Sequence, residues 1–71
     1  MNRAQTINLI KVLISTYPNT QIADVKTLVQ SWEMMFADDD AETVYKAVRM
    51  HMAKSKWFPK PAEIKKGAIT S

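Results

Sequence analysis

The apolar side chains of this chain recur every three or four residues in three successive segments, and this spacing constrains the fold more than any other feature. In the first segment they fall at Ile7, Ile10, Leu13, Ile14 and Tyr17. This spacing lines one face of an α-helix, whereas no segment alternates with the two-residue period of a half-buried strand. The sequence therefore predicts an all-α fold.

Prolines and aspartates divide the periodic segments into separate helices. Pro18 lacks a backbone donor and disfavours helical geometry at the residue before it, which predicts a first helix from Arg3 to about Tyr17. The second helix is predicted to run from Asp24, whose carboxylate can cap the first turn, to Ala37. A short turn should follow at residues 38–40.

The third helix is predicted to begin at the aspartate triplet and to end near Lys54. Asp39 followed three residues later by Glu42 has the form of a capping box in which aspartate replaces serine or threonine. The three helices are expected to pack around a common core. That core is predicted to contain Ile10, Leu13, Val25, Leu28, Val29, Trp32, Val44 and Val48.

After Ser55 the helical periodicity stops, and two prolines in the segment WFPKP at residues 57–61 impose extended geometry. Pro61 suits the first position of a short fourth helix that ends near Lys66, with Gly67 as its C-terminal cap. The predicted architecture is a small bundle of three main helices plus a short C-terminal helix. It forms a single helical domain over residues 1–67, followed by a flexible tail over residues 68–71.

Composition argues against most catalytic, metal and cofactor chemistry. Gly67 is the only glycine, so a Gly-rich phosphate loop cannot form. Without cysteine, and with His51 as the single histidine, the chain has neither a disulfide nor the usual ligands of a zinc site. His51 follows the Val44 and Val48 stripe, which favours a partly buried imidazole bonded to a backbone carbonyl over a catalytic base. We therefore predict a non-enzymatic protein with no cofactor, metal or small-molecule substrate.

No targeting or membrane-spanning segment is predicted. Asn8 and Lys11 interrupt the apolar N-terminal stretch, and no small-residue cleavage site follows it. The longest apolar run is residues 34–37, far below the roughly 20 residues that span a bilayer. The expected location is the cytosol, with no membrane contact.

The net charge of +3 is distributed unevenly along the chain. Residues 33–42 carry five acidic groups and no base, whereas residues 43–71 carry seven bases and one acid. The aspartate triplet suits a capping turn, with an acidic patch for a basic partner as the functional alternative and a metal site less favoured. Helical geometry leaves Met34 and Met50 outside the buried faces, and adaptable methionines line protein-binding grooves. The candidate partner-binding residues are Met34, Met50, Asp38 and Asp39, with ordinary surface residues as the alternative.

Rings and cations alternate in the basic C-terminal third. Such interleaving suits single-stranded nucleic acid, which binds by base stacking and phosphate contact. The favoured alternative is that Trp57 and Phe58 fold back over the core, because a domain this small needs the buried apolar area. Exposure of one of the two rings remains open. The candidate nucleic-acid contacts are Lys54, Lys56, Trp57, Lys60, Lys65 and Lys66.

Four segments form a combined pattern along nearly the whole chain. They are LIKVLISTYPN at residues 9–19, Trp32 with Met35, DAETVYKAV at residues 40–48 with His51, and KWFPKPAEI at residues 56–64. The most specific part is the last, in which Phe-Pro is followed by Ala-Glu-Ile. Taken together, the pattern resembles the N-terminal domain of the bacteriophage replicative-helicase loader and inhibitor family.

This resemblance implies an all-α domain that acts in phage DNA replication inside a bacterial host cell. Such a loader binds a hexameric helicase, holds it inactive and hands it to an origin-bound initiator protein. In that family, helicase contact is associated with a flexible C-terminal region, so residues 1–71 are expected to hold the folded platform. A small basic nucleic-acid-binding module remains the alternative function.

Overall fold

The computed structural model describes residues 1–70, with side chains through residue 67. It contains four helices, which are α1 (Arg3–Thr16), α2 (Val25–Met35), α3 (Ala41–Lys54) and α4 (Pro61–Thr70). No strand occurs among the described residues. The prediction of an all-α bundle with three main helices and a shorter fourth is confirmed.

Short side chains cap the starts of the second and third helices. Asp24 caps α2 as predicted, and its carboxylate accepts hydrogen bonds from the backbone N–H of Thr27 at 3.3 Å and from its hydroxyl at 2.7 Å. The predicted cap of α3 is wrong by one residue. Asp40 is the N-cap and accepts from the N–H of Thr43 at 3.2 Å, whereas Asp39 lies in the preceding turn.

The first helix begins with a capping box that the sequence analysis missed. The Asn2 side chain accepts from the N–H of Gln5, and the Gln5 side chain accepts from the N–H of Asn2, both at 2.9 Å. Each bond satisfies a backbone donor that has no partner inside the helix. The box therefore fixes where α1 starts.

The fourth helix is longer than predicted. Gly67 lies inside α4 with a negative φ, so its assignment as the C-terminal cap is wrong. The helix continues through Thr70, into the segment that the sequence assigned to a flexible tail at residues 68–71. Ser71, the last residue of that predicted tail, lies outside the described residues.

Side chains from all four helices, and from the residues that follow α1 and α2 directly, form the core. They are Leu9, Ile10, Leu13, Tyr17, Val29, Trp32, Phe36, Val44, Val48 and Ile64, with Leu28 partly buried beside them. Val25 was predicted in this core but is 48% exposed. Val25 lies on the same face of α2 as Val29, but it is the first residue of the helix. Periodicity predicts which face of a helix is buried, but it does not predict how far along the helix the burial extends.

The segment between α3 and α4 is fixed against the end of α1. The Tyr17 hydroxyl donates to the Ser55 carbonyl at 2.9 Å, and the Tyr17 ring meets the Phe58 ring edge-on at a centroid distance of 6.0 Å. Phe58 is partly buried against the core and Pro59 is fully buried. Trp57 is 70% exposed, so Phe58 is the ring that folds over the core and Trp57 is the ring that stays exposed.

Candidate partner-binding surfaces

The turn between α2 and α3, residues 36–40, brings together two residues that the sequence had assigned to different surfaces. Lys65 of α4 places its Nζ 2.8 Å from Asp39 Oδ2 and 2.9 Å from the Met35 carbonyl oxygen. The same ammonium lies 5.7 Å from the centroid of the Phe36 ring. The candidate nucleic-acid contact Lys65 and the candidate partner contact Asp39 therefore form an ion pair with each other.

A second cation reaches the same turn. The Met1 amino group donates to the Phe36 carbonyl at 3.1 Å and also to the Asp39 carbonyl. Cations are favoured here because the carbonyl end of a helix carries partial negative charge. Asp40 is exposed but its carboxylate caps α3, which leaves Asp38 as the exposed member of the triplet whose carboxylate has no ion pair in the described part of the chain.

The two candidate methionines lie on different elements. Met34 is 80% exposed near the C-terminal end of α2, four residues before Asp38. Met50 is 44% exposed on α3 and lines a groove between α3 and α4, which Lys54 also lines. The predicted exposure of both methionines is confirmed, and Met50 lies in a groove that is lined neither by Met34 nor by the candidate aspartates.

His51 lines the same groove between α3 and α4, and its ring is bonded to the backbone. Its Nε2 lies 2.9 Å from the Trp57 carbonyl oxygen. Because a carbonyl oxygen can only accept, this nitrogen carries the hydrogen and donates it. The predicted bond to a backbone carbonyl is confirmed.

Lys56 and Trp57 form the most exposed aromatic feature of the described surface. The Lys56 Nζ lies 5.3 Å from the centroid of the Trp57 ring, within the range of a cation–π interaction. Both residues line a largely apolar groove with Tyr17 and Phe58. Lys65 is directed to the α2–α3 turn, whereas the remaining candidate nucleic-acid contacts are exposed, namely Lys54, Lys60 and Lys66.

Sequence reasoning did not identify a groove between α1 and α3. Its lining residues are Asn8, Leu9, Val12, Tyr45, Val48, Arg49 and Met52. The available signal was Val12, which extends the apolar stripe of α1 beyond the width of a single buried face. The sequence does not show that Val12 lines a groove with α3, because this depends on how α1 and α3 pack together.

The described residues hold no cluster of three or more metal-ligating His, Cys, Asp or Glu side chains. No helix in that part of the chain is long and apolar enough to cross a membrane. The candidate functional sites are the surfaces described above.

Comparison with known protein families identifies the domain. A family model for the N-terminal domain of a phage helicase loader and inhibitor matches residues 1–65. The chain belongs to this family. The N-terminal domain of the family is not a known catalytic domain. No curated protein and no solved structure matches the chain.

The match to the loader family extends across α1, α2 and α3 and into the first half of α4. It therefore includes both members of the ion pair between Asp39 and Lys65. The resemblance that the sequence segments indicated is confirmed at the level of the family.

Proposed function

We propose that this loader-family domain is a non-enzymatic accessory of phage or prophage DNA replication, which binds a hexameric replicative helicase, inhibits it and loads it. An origin-bound initiator protein would receive the helicase, and the reaction would take place in the cytoplasm of the bacterial host. The observation that carries the proposal is the family match over residues 1–65. Because the family's N-terminal domain is not a known catalytic domain, a role in binding is favoured over catalysis.

We assign to the surface around Met34 and Asp38 a helicase contact of the folded domain, additional to the one that the family resemblance associates with a flexible C-terminal region. The exposed side chain of Met34 is flexible and polarisable, so it can adapt its shape to a partner surface. Asp38 presents a carboxylate that no cation of the described chain neutralises, and such a charge attracts a basic partner surface. Asp39 contributes less to this surface because Lys65 occupies its carboxylate.

The proposal is tested by mixing the native full-length protein with the replicative helicase of the phage or its host. Complex size is measured by light scattering, and helicase ATPase activity is measured with and without the protein. We expect a stable complex and lower ATPase activity. A wild-type protein that forms no complex would overturn the proposal.

Two matched variants of α2 test the surface itself. Met34→Lys should weaken the complex, whereas Val25→Lys, at the other end of the same helix, should leave it unchanged. Both positions are exposed, so both variants are expected to fold. Equal complex formation by the two variants would move the helicase contact away from Met34.

The exposed Lys56–Trp57 pair favours single-stranded nucleic acid as a second candidate ligand. A base can stack on the open face of Trp57 while neighbouring lysines contact phosphates. Oligonucleotide affinity should then fall with salt, with a log–log slope of about −0.7 per phosphate contact. Trp57→Ala should weaken binding, and Met34→Ala, at a similarly exposed position, should not. No binding at low salt would exclude this candidate.

A further inference from the structure

The groove between α1 and α3 is not covered by the fourth helix. In the described part of the chain, α4 lies alongside α2 and α3 and not alongside α1. The groove is bounded by two helices, and a groove of this shape accepts a third helix laid along it. The groove is therefore accessible to a helix from outside the bundle.

The floor of the groove is formed by buried apolar side chains, and the apolar side chains beside the floor are partly exposed to solvent. Leu9 and Val48 are buried at the floor, and Tyr45 and Met52 are partly buried beside them. Val12 lies at the edge with 49% of its surface exposed. This arrangement offers apolar area to a partner without requiring the core to open.

Arg49 is the single charged residue that lines the groove. It is exposed, and the described chain provides no ion pair for it. The facing helix α1 carries only basic charges, Arg3 and Lys11. On α3, none of the positions three or four residues from Arg49 holds an acid that would pair with it along the helix; they are Tyr45, Lys46, Met52 and Ala53. The charge that complements this groove is negative.

The docking of α4 shows how this bundle accepts a short helix. Ile64 is buried as an apolar anchor, and the next residue, Lys65, forms the ion pair with Asp39 on the adjacent turn. This helix therefore combines a buried apolar anchor with a charge paired at the rim. The α1–α3 groove presents an apolar floor with a cation at its rim, so the helix that fits it supplies the anchor and an acid.

We propose that the α1–α3 groove binds an amphipathic helix of a partner protein, with apolar residues at i, i+3, i+4 and i+7 on the floor and an acidic residue paired with Arg49. The inference goes beyond the proposed function because it does not depend on the helicase. It names a second docking surface, separate from the one around Met34.

The test uses three labelled peptides of about 15 residues, a length at which an isolated helix is marginal and gains order on binding. The first carries leucines at the stated spacing with glutamates beside them, the second replaces the glutamates by lysines, and the third scrambles the first. Fluorescence anisotropy measures their binding to the chain. The glutamate peptide should bind most tightly, and equal binding of the scrambled peptide would overturn the proposal.

Variants of the groove supply the decisive comparison. Val12→Lys should weaken glutamate-peptide binding, whereas Met50→Lys, at a similarly exposed position on α3 outside this groove, should not. Arg49→Glu should weaken it about tenfold and should strengthen binding of the lysine peptide, a reversal that a purely structural role cannot produce. Circular dichroism confirms that each variant folds. Equal losses in Val12→Lys and Met50→Lys, or no reversal in Arg49→Glu, would overturn the assignment.

Sedimentation of the chain alone tests a second copy as the occupant. The proposal predicts that the chain does not self-associate through this groove. Any concentration-dependent association should therefore be unchanged in Val12→Lys. Self-association that depends on Val12 would show that a second copy of the chain, and not a partner helix, occupies the groove, and it would overturn the proposal. Because these experiments omit the helicase, their failure is distinguishable from failure of the proposed function.

Discussion

Lys65 Nζ lies 2.8 Å from Asp39 Oδ2, so an ion pair between residues 26 positions apart joins α4 to the α2–α3 turn. The two side chains are 32% and 26% exposed, which places the pair near the surface but partly shielded from water. The same ammonium caps the Met35 carbonyl at the end of α2. This one side chain thus connects three elements of the bundle.

Lys65→Gln should lower the free energy of unfolding by about 0.2–1 kcal/mol, the range for an ion pair near the surface. Added salt should reduce the difference in unfolding free energy between the wild type and the variant, because salt screens the ion pair of the wild type. Urea unfolding at low and high salt measures both effects. The exposed Lys46→Gln is the control, and an equal loss there would contradict the role of the ion pair.

Tyr17→Phe should destabilise the domain by about 1 kcal/mol because it removes the donor to the Ser55 carbonyl. Tyr45→Phe is the matched control, since the Tyr45 hydroxyl lies 3.4 Å from the Gln5 carbonyl and forms a longer bond. Thermal unfolding followed by circular dichroism compares the two variants. A larger loss in Tyr45→Phe would contradict the assignment of Tyr17 as the contact that fixes the segment before α4.

Gly67→Ala should stabilise α4 by up to about 1 kcal/mol, because alanine restricts the unfolded chain and favours the helix more than glycine does. An added Cβ would lie 3.9 Å from the Ala47 Cβ, an ordinary contact distance. In a domain of this size the change corresponds to a rise in Tm of roughly 4–8 °C. A lower Tm would show that the site cannot accept the methyl group.

Hydrogen bonds from the Thr27 hydroxyl and backbone hold the pKa of Asp24 below its ordinary value of 3.8. The folded state therefore favours the ionised cap, whose contribution to stability is present above pH 3.8 and is lost as the pH falls through the lowered pKa. Thr27→Val should reduce this loss on acidification. Unfolding curves of both proteins between neutral and acidic pH measure it, and parallel pH profiles would refute the prediction.

The two tryptophans should differ in their fluorescence because Trp32 is fully buried and Trp57 is 70% exposed. Trp57→Phe should leave blue-shifted emission that iodide quenches weakly. Trp32 cannot be removed as cleanly because it fills the core, so the wild-type protein serves as the comparison. Strong quenching of Trp57→Phe would show that Trp32 is accessible.

Much of the fold could be predicted from local patterns. The apolar spacing of α1, α2 and α3 and the cap at Asp24 follow from interactions within a few residues, and these predictions agree with the structure. The candidate sites could be predicted less well. Exposure of Met34 and Met50 follows from helical phase, but the sequence gives no sign that Asp39 is paired with Lys65.

The sequence by itself determined which segments form α1, α2 and α3 and which face of each is apolar, because a helix sets its side-chain periodicity through local geometry. The tertiary structure decided that Trp57 faces outward, that Lys65 reaches Asp39, and that Val12 and Arg49 share an open groove. These relationships depend on how the helices pack side by side. That packing brings together residues that are tens of positions apart, and no local spacing records it.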